Sequence, residues 1–434
     1  MTTENFGQAL KRLRSARGLS LRDLGALVGY SRKTIWNFEK GDRRPYPDVV
    51  QALDNAVSAD GYLVHVAASE AAAAGAVDAY MPLAHGVWRR ADAEALAHSL
   101  IAEDPKPDNA LRLAHEWLVT EAPQVYELKA GRHISTDLVD QIEQRVHQIR
   151  LIDDHVGGLD TYAMARAELE ATAALVRDAA YSEDVGRRLL SVISELCQIA
   201  GWITSDAGRH GEAQRLYLAG ARASHAAGDA SGAASNLSSL AYQLANVGNP
   251  HEAVLLARSA YKGAAHEASA TTRALLLERV AWAHARAGDP DPAGRALDQV
   301  DDAFDSRSAG EDPPWVYWLN RDEIGVMQGR VWTQLQRPLR AVPTLEQAIA
   351  GYGDDTPREA SLYLTWLAEA LVQANEVERA AEVALRALAL SRLAHSTRTA
   401  SRVAELRALL TPFAGLPAVD AFLEACRADG REAA

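Results

Sequence analysis

The sequence predicts an all-α protein in two parts, a small basic helical head followed by a long acidic body of repeated helix hairpins. Three observations carry this. Residues 19–45, LSLRDLGALVGYSRKTIWNFEKGDRRP, encode two short helices joined by a tight turn and followed by a basic loop. After residue 66 the chain is rich in Ala, Leu, Arg and Glu with few β-branched runs, so strands are improbable. Segments around certain glycines overlay on one another, the mark of an internal repeat. At 434 residues the chain is too long for one small unit, and two or three modules are expected.

In the head, a first helix covers FGQALKRLRSARG. Ser20 is a good N-cap for the next, whose apolar stripe is Leu21, Leu24 and Leu27 or Val28. Gly29 follows the stripe, where a left-handed residue lets the chain turn. Ser31 caps a helix running to about Lys40, with Ile35 and Phe38 inward and Gly41 as its stop. Arg32, Lys33, Thr34, Trp36 and Asn37 then point outward, a set of donors suited to base edges and phosphates. A further helix is expected over PDVVQALDNAV.

Residues 6–57 resemble the helix-turn-helix of the lambda-repressor/Cro-like (XRE) regulators. The matching residues are Leu19-Ser20, Ser31-Arg32, Thr34-Ile35, Phe38-Glu39, Gly41 and Arg43-Arg44-Pro45. The resemblance implies an ion pair between Arg14 and Glu39 behind the recognition helix. It also implies a dimer on double-stranded operator DNA, each helix 31–40 lying in a major groove. Arg32, Lys33, Trp36 and Asn37 would then read bases, with Arg or Lys on guanine, Asn on adenine, and Trp36 on a thymine methyl or the sugar. Arg22, Ser31, Thr34, Lys40, Arg43 and Arg44 would hold phosphates. Leu21 departs from the family, many of whose members carry Gln there, so no phosphate contact is expected from it.

Charge agrees with this division. Residues 1–47 carry a formal +6, and since the whole chain is −13 the remainder carries −19. Nucleic-acid affinity is thus confined to the head, and the body would repel DNA. Cys197 and Cys426 stand far apart, suggesting neither a disulfide framework nor a zinc site. No signal region and no run of about 18 apolar residues appears, so a cytoplasmic protein without membrane contact is expected. HExxH, CxxC and glycine-rich phosphate motifs are lacking, and no enzyme, metal or cofactor is expected.

The body is read from AGRHGEAQRLY, VGNPHEAVLLA, AGDPDPAGRAL, LQRPLRAVPTL and ANEVERAAEVA. Their anchor alanines, Ala213, Ala253, Ala293, Ala341 and Ala380, are spaced 40, 40, 48 and 39 residues apart. A first helix ends at Gly208, Gly248 or Gly288, where positive φ is expected; Asn375 is the next-best residue for this and Gln336 the weakest. A second helix follows, and its small Ala permits close approach. This pattern, clearest over 190–400, resembles tetratricopeptide (TPR) repeats, which implies hairpins stacked into an α-superhelix, a solenoid. The division expected is 1–66 for the DNA-binding head, 67–190 for a helical bridging region or degenerate repeats, and 191–430 for the TPR-like domain.

In such repeats the first helices line the concave face. Six residues before each hairpin turn stand Trp202, Tyr242, Trp282, Arg330 and Glu369. One turn on come Asp206, Asn246, Arg286, Gln334 and Gln373, and one turn earlier Gln198 and Glu278, with Ser239, Arg279 and Trp366 as neighbours. Aromatic bodies beside amides and arginines have the composition of a peptide groove, although the rings can equally pack as core between repeats. Pro313-Pro314-Trp315-Val316-Tyr317-Trp318 reads as a buried junction. The whole layout resembles the RRNPP class of quorum-sensing receptors. That resemblance implies a regulator whose body dimerises and senses a short signalling peptide or small molecule. The alternatives are a ligand-free protein-docking scaffold and an adaptor with a vestigial head.

Overall fold

The structure, a computed structural model, describes residues 5–28, 30–40, 47–57, 59, 62, 63, 66, 81–100, 109–123, 125, 126, 133–155, 158–308, 310, 312–353, 356–394 and 397–432. Backbone packing divides the chain into two units, Met1–Met81 and Pro82–Ala434.

The first unit holds α1 (Phe6–Ala16), α2 (Leu21–Val28), α3 (Arg32–Lys40) and α4 (Pro47–Ala56). Each of the first three begins on a side-chain cap. The Asn5 carboxamide accepts from the Gln8 amide at 2.9 Å, and the Gln8 side chain accepts from the Asn5 amide at 3.1 Å. Ser20 and Asp23 exchange the same pair of bonds at 3.2 and 3.0 Å. The Ser31 hydroxyl accepts from the Thr34 amide at 3.1 Å. These bonds satisfy amides that helix starts leave without partners.

The core of this unit gathers Phe6, Leu10, Leu24, Ile35, Phe38 and Leu53. Leu21 and Val28 pack against it, whereas Leu27 is 62% exposed, so the stripe of α2 closes on Val28 and not on Leu27. A Cβ on Gly25 would stand 2.4 Å from the Tyr30 carbonyl oxygen, so the turn between α2 and α3 closes over a position only glycine can fill. Gly29 and Gly41 lie outside the described residues.

The second unit opens with β1 (Val87–Trp88), α5 (Arg90–Ser99), α6 (Asn109–Val119), β2 (Val125–Tyr126), α7 (Thr136–His155) and α8 (Gly158–Asp178). β1 and β2 pair in parallel, Val87 opposite Val125 and Trp88 opposite Tyr126. This corrects the expectation that strands would be lacking. Two-residue pairings of β-branched and aromatic side chains leave no periodic signal.

Five hairpins follow. They are α9 (Glu183–Asp206) with α10 (His210–Ala227), α11 (Ala230–Val247) with α12 (Pro250–Ala264), α13 (Ala270–Ala287) with α14 (Pro290–Asp305), α15 (Arg321–Gln334) with α16 (Pro338–Ile349), and α17 (Pro357–Gln373) with α18 (Val377–Ala394). α19 (Thr397–Leu410) and α20 (Pro417–Glu432) close the chain. The two helices of each pair pack together, and each first helix packs on the next first helix, in the order α9, α11, α13, α15, α17, α19. All five anchor alanines are fully buried where their helices meet.

Left-handed residues close four of the five turns: Gly208 (φ 77°), Gly288 (φ 81°), Gln336 (φ 54°) and Asn375 (φ 62°). Gly248 departs from the expectation, with φ −121° and ψ −138°. A side chain there would crowd the Leu244 carbonyl at 3.2 Å rather than enter a left-handed backbone.

Trp315, Val316 and Leu319 are buried against Phe304 and Ile324, which makes 313–318 a junction, with Tyr317 exposed. Arg358 of α17 reaches far along the chain, donating to the Asp153 carbonyl at 3.0 Å and approaching the Asp206 carboxylate at 4.0 Å. Among the described residues, no helix is long and apolar enough to cross a membrane.

Candidate nucleic-acid interface and inner register

α3 is amphipathic in an unusual way. At 3.6 residues per turn, Arg32, Lys33, Trp36, Asn37 and Lys40 fall within about 140° of arc, opposite Ile35 and Phe38. Ile35 and Phe38 are buried, while Arg32, Lys33, Trp36 and Lys40 are exposed and Asn37 and Thr34 half-buried. The Lys40 ammonium lies over the Trp36 ring, 5.5 Å from its centroid, so cation and aromatic form one surface element.

The helix is fixed from behind. Arg14 donates to both Glu39 oxygens, at 2.5 and 3.1 Å, and to the Leu19 carbonyl at 2.7 Å. One guanidinium thus ties α1, the start of α2 and α3 together, and its hydrogen bonds to Glu39 raise its own pKa. The Tyr30 ring meets Phe38 edge-on at 6.0 Å, bracing the turn. Ser31 is exposed, and its hydroxyl, besides capping α3, stands 2.9 Å from that of Thr34. Arg22 is exposed on α2, and Arg43 and Arg44 lie outside the described residues.

The inner register forms a ladder of rings. Trp202 stacks on Tyr242 at 5.6 Å, Tyr242 tilts against Trp282 at 6.2 Å, and Trp282 meets Trp366 edge-on at 5.8 Å. Arginines lie between the rings. Arg279 stands 4.6 Å from Tyr242, Arg330 4.8 Å from Trp282 and 5.0 Å from Trp366, and Arg402 3.8 Å from Trp366. Tyr242, Trp282, Trp366, Arg279 and Arg330 are each less than a tenth exposed, and Trp202 is half-buried.

The polar members bond chiefly along the stack. The Gln198 amide donates to Ser239 at 3.5 Å, and the Trp282 indole donates to Asn246 at 3.1 Å. Arg286 donates to the Ala245 carbonyl at 3.0 Å and to Gln334 at 3.0 Å. Gln373 donates to the Thr333 carbonyl at 3.1 Å, and Glu369 pairs with Arg402 at 2.6 Å. Asp206 faces Arg358. Most of these bonds join residues 33 to 48 apart, about one repeat.

Arg402 and Arg358 were not singled out in the sequence, because neither falls at the repeated register. Nor was the cluster in which Glu323 accepts from the Tyr352 and Tyr363 hydroxyls at 2.5 and 2.7 Å, its pKa raised by burial against those bonds. Glu278 stands at the register position one turn before Trp282. It is 2% exposed, and burial pushes its carboxyl up to about 8 although Arg279 and Arg330 pull it down.

Residues 5–66 match the model of a family described as a helix-turn-helix domain. No curated protein matches the chain. The chain therefore carries an N-terminal helix-turn-helix domain, which supports a DNA-binding regulator of the XRE-like kind.

Proposed function

We propose that the protein is a sequence-specific transcriptional regulator that binds operator DNA as a homodimer. Each copy lays α3 in the major groove of one half-site. Arg32 and Lys33 read guanine, Asn37 reads adenine, and Trp36 contacts a thymine methyl or sugar. Arg22, Ser31, Thr34, Lys40, Arg43 and Arg44 hold phosphates. The observation that carries this reading is the exposed Arg32/Lys33/Trp36/Asn37 face on a helix fixed from behind by Arg14–Glu39. Selection of bound duplexes from a random pool by the full chain tests it. Enrichment of a motif with two related half-sites is expected, and no enrichment over the input pool refutes the reading.

For the body we infer a TPR-like α-superhelix that pairs two heads and senses a peptide or small molecule on its inner register. The order of first-helix contacts and the repeated aromatic register support it. A second reading, a docking scaffold without a ligand, is favoured by the burial of Trp282 and Trp366 under Arg330 and Arg402. On the sensing reading a ligand must displace those arginines from the rings.

A further inference from the structure

Between the second helices of the last two hairpins, α16 and α18, lies a groove of about 460 Å³ that neither the DNA-binding face nor the inner register uses. Ile349, Leu364, Leu367 and Val383 make it apolar, and Glu382 and Arg386 of α18 line it as well. The first hairpins show what second helices accept as a cover. There α6 packs on α10 and α12, and the Trp117 ring lies so close on Gly263 of α12 that no side chain could stand there. A helix carrying a large apolar residue is thus one kind of occupant. α18 itself is such a helix. Leu385 is 37% and Leu393 64% exposed, and Ala389 between them is exposed too, an apolar stripe at helical spacing beside the groove.

Charge selects the occupant. Glu346 on the opposite wall pairs with Arg379, which also pairs with Glu376 at 2.9 Å. Among the described residues, Glu382 and Arg386 have no ion-pair partner, in each other or elsewhere, although both are exposed and one turn apart. A surface with one acid and one base in excess is complementary to itself. We propose that the groove is where two copies of the chain pair, each α18 lying antiparallel on the partner's α18 about a two-fold axis at the level of Ala384. Residues equidistant from Ala384 then face one another across the axis. Glu382 meets the partner's Arg386, Arg386 meets the partner's Glu382, and Leu385 enters the groove beside the partner's Val383. A parallel arrangement is excluded, because it would set Glu382 against the partner's Glu382 and Arg386 against the partner's Arg386. The interface gives the homodimeric reading of the protein a location and rests on that reading.

Sedimentation equilibrium of the full chain without DNA tests it. The unmodified chain is expected to dimerise, and Glu382→Arg or Arg386→Glu alone to raise the dissociation constant about tenfold or more, since each change sets like charges together twice. Glu382→Arg and Arg386→Glu combined exchange the two signs and are expected to restore the dimer. Leu385→Ser is expected to weaken it in low and high salt alike. All three side chains are exposed on the single chain, so circular dichroism of the variants should match that of the unmodified chain. A chain that stays monomeric at every concentration refutes the homodimeric reading and this interface with it. A dissociation constant that none of the variants changes keeps the homodimer but places its interface elsewhere, and overturns the proposal alone. So does a combined exchange that leaves the dimer as weak as the single changes do.

Discussion

Half-buried Arg14 and buried Glu278 are titratable groups with opposite fates. Arg14 donates to a carboxylate and a carbonyl, and its charge is the strut of the head. Replacing it with Met strands Glu39, whose side chain is 6% exposed, and should cost about 3 kcal/mol in the unfolding of the head, read by thermal melting. Glu278 has no hydrogen bond at Oε1, and its folded pKa of about 8 lies above its ordinary 4.5. The folded chain therefore holds a proton that the unfolded chain releases between those values. Stability from this group is complete below about pH 4.5 and lost as pH rises through about 8, on the order of 2–5 kcal/mol in all. Glu278→Gln should flatten the fall in melting temperature between pH 6 and pH 9. The Arg14–Glu39 pair was legible in the sequence through the family resemblance. The isolation of Glu278 was not, because a register position says nothing about which partners fold against it.

At the level of helices, spacing made the fold readable while distances between repeats stayed hidden. The anchor alanines and the turns at Gly208 and Gly288 followed from local backbone chemistry. Gly248 carries the same residue type in the same place, yet it needs room beside Leu244 and not a left-handed backbone. The aromatic register was visible as a period of about 40 residues, but whether successive rings meet depends on how closely the first helices pack. They meet, and Trp282→Ala should accordingly behave as a core truncation, destabilising the body by about 3–5 kcal/mol in denaturant unfolding. A loss below about 1 kcal/mol would mark Trp282 as a groove residue instead. In the head, Gly25→Ala would ordinarily stabilise a helix by about 0.5–1 kcal/mol. Here the added methyl collides with the Tyr30 carbonyl, and a lowered melting temperature is expected.

Across the whole molecule, charge assigns the work. Residues 1–47 hold +6 and the rest −19, so the phosphate backbone attracts one end of the chain only. Two kinds of contact on α3 then separate experimentally. Lys40 is a point charge over Trp36, and its loss should weaken binding to any duplex and flatten the salt slope by about one unit. Asn37 carries no charge, and its amide can pair with adenine. The most direct measurement compares Asn37→Ala and Lys40→Ala with the unmodified full chain on the selected operator and on a scrambled duplex, across a salt series. The account predicts that Asn37→Ala loses about 1–3 kcal/mol on the operator alone, with relaxed preference at one base pair, whereas Lys40→Ala weakens both duplexes alike. Equal weakening of both duplexes by Asn37→Ala would contradict base reading by α3.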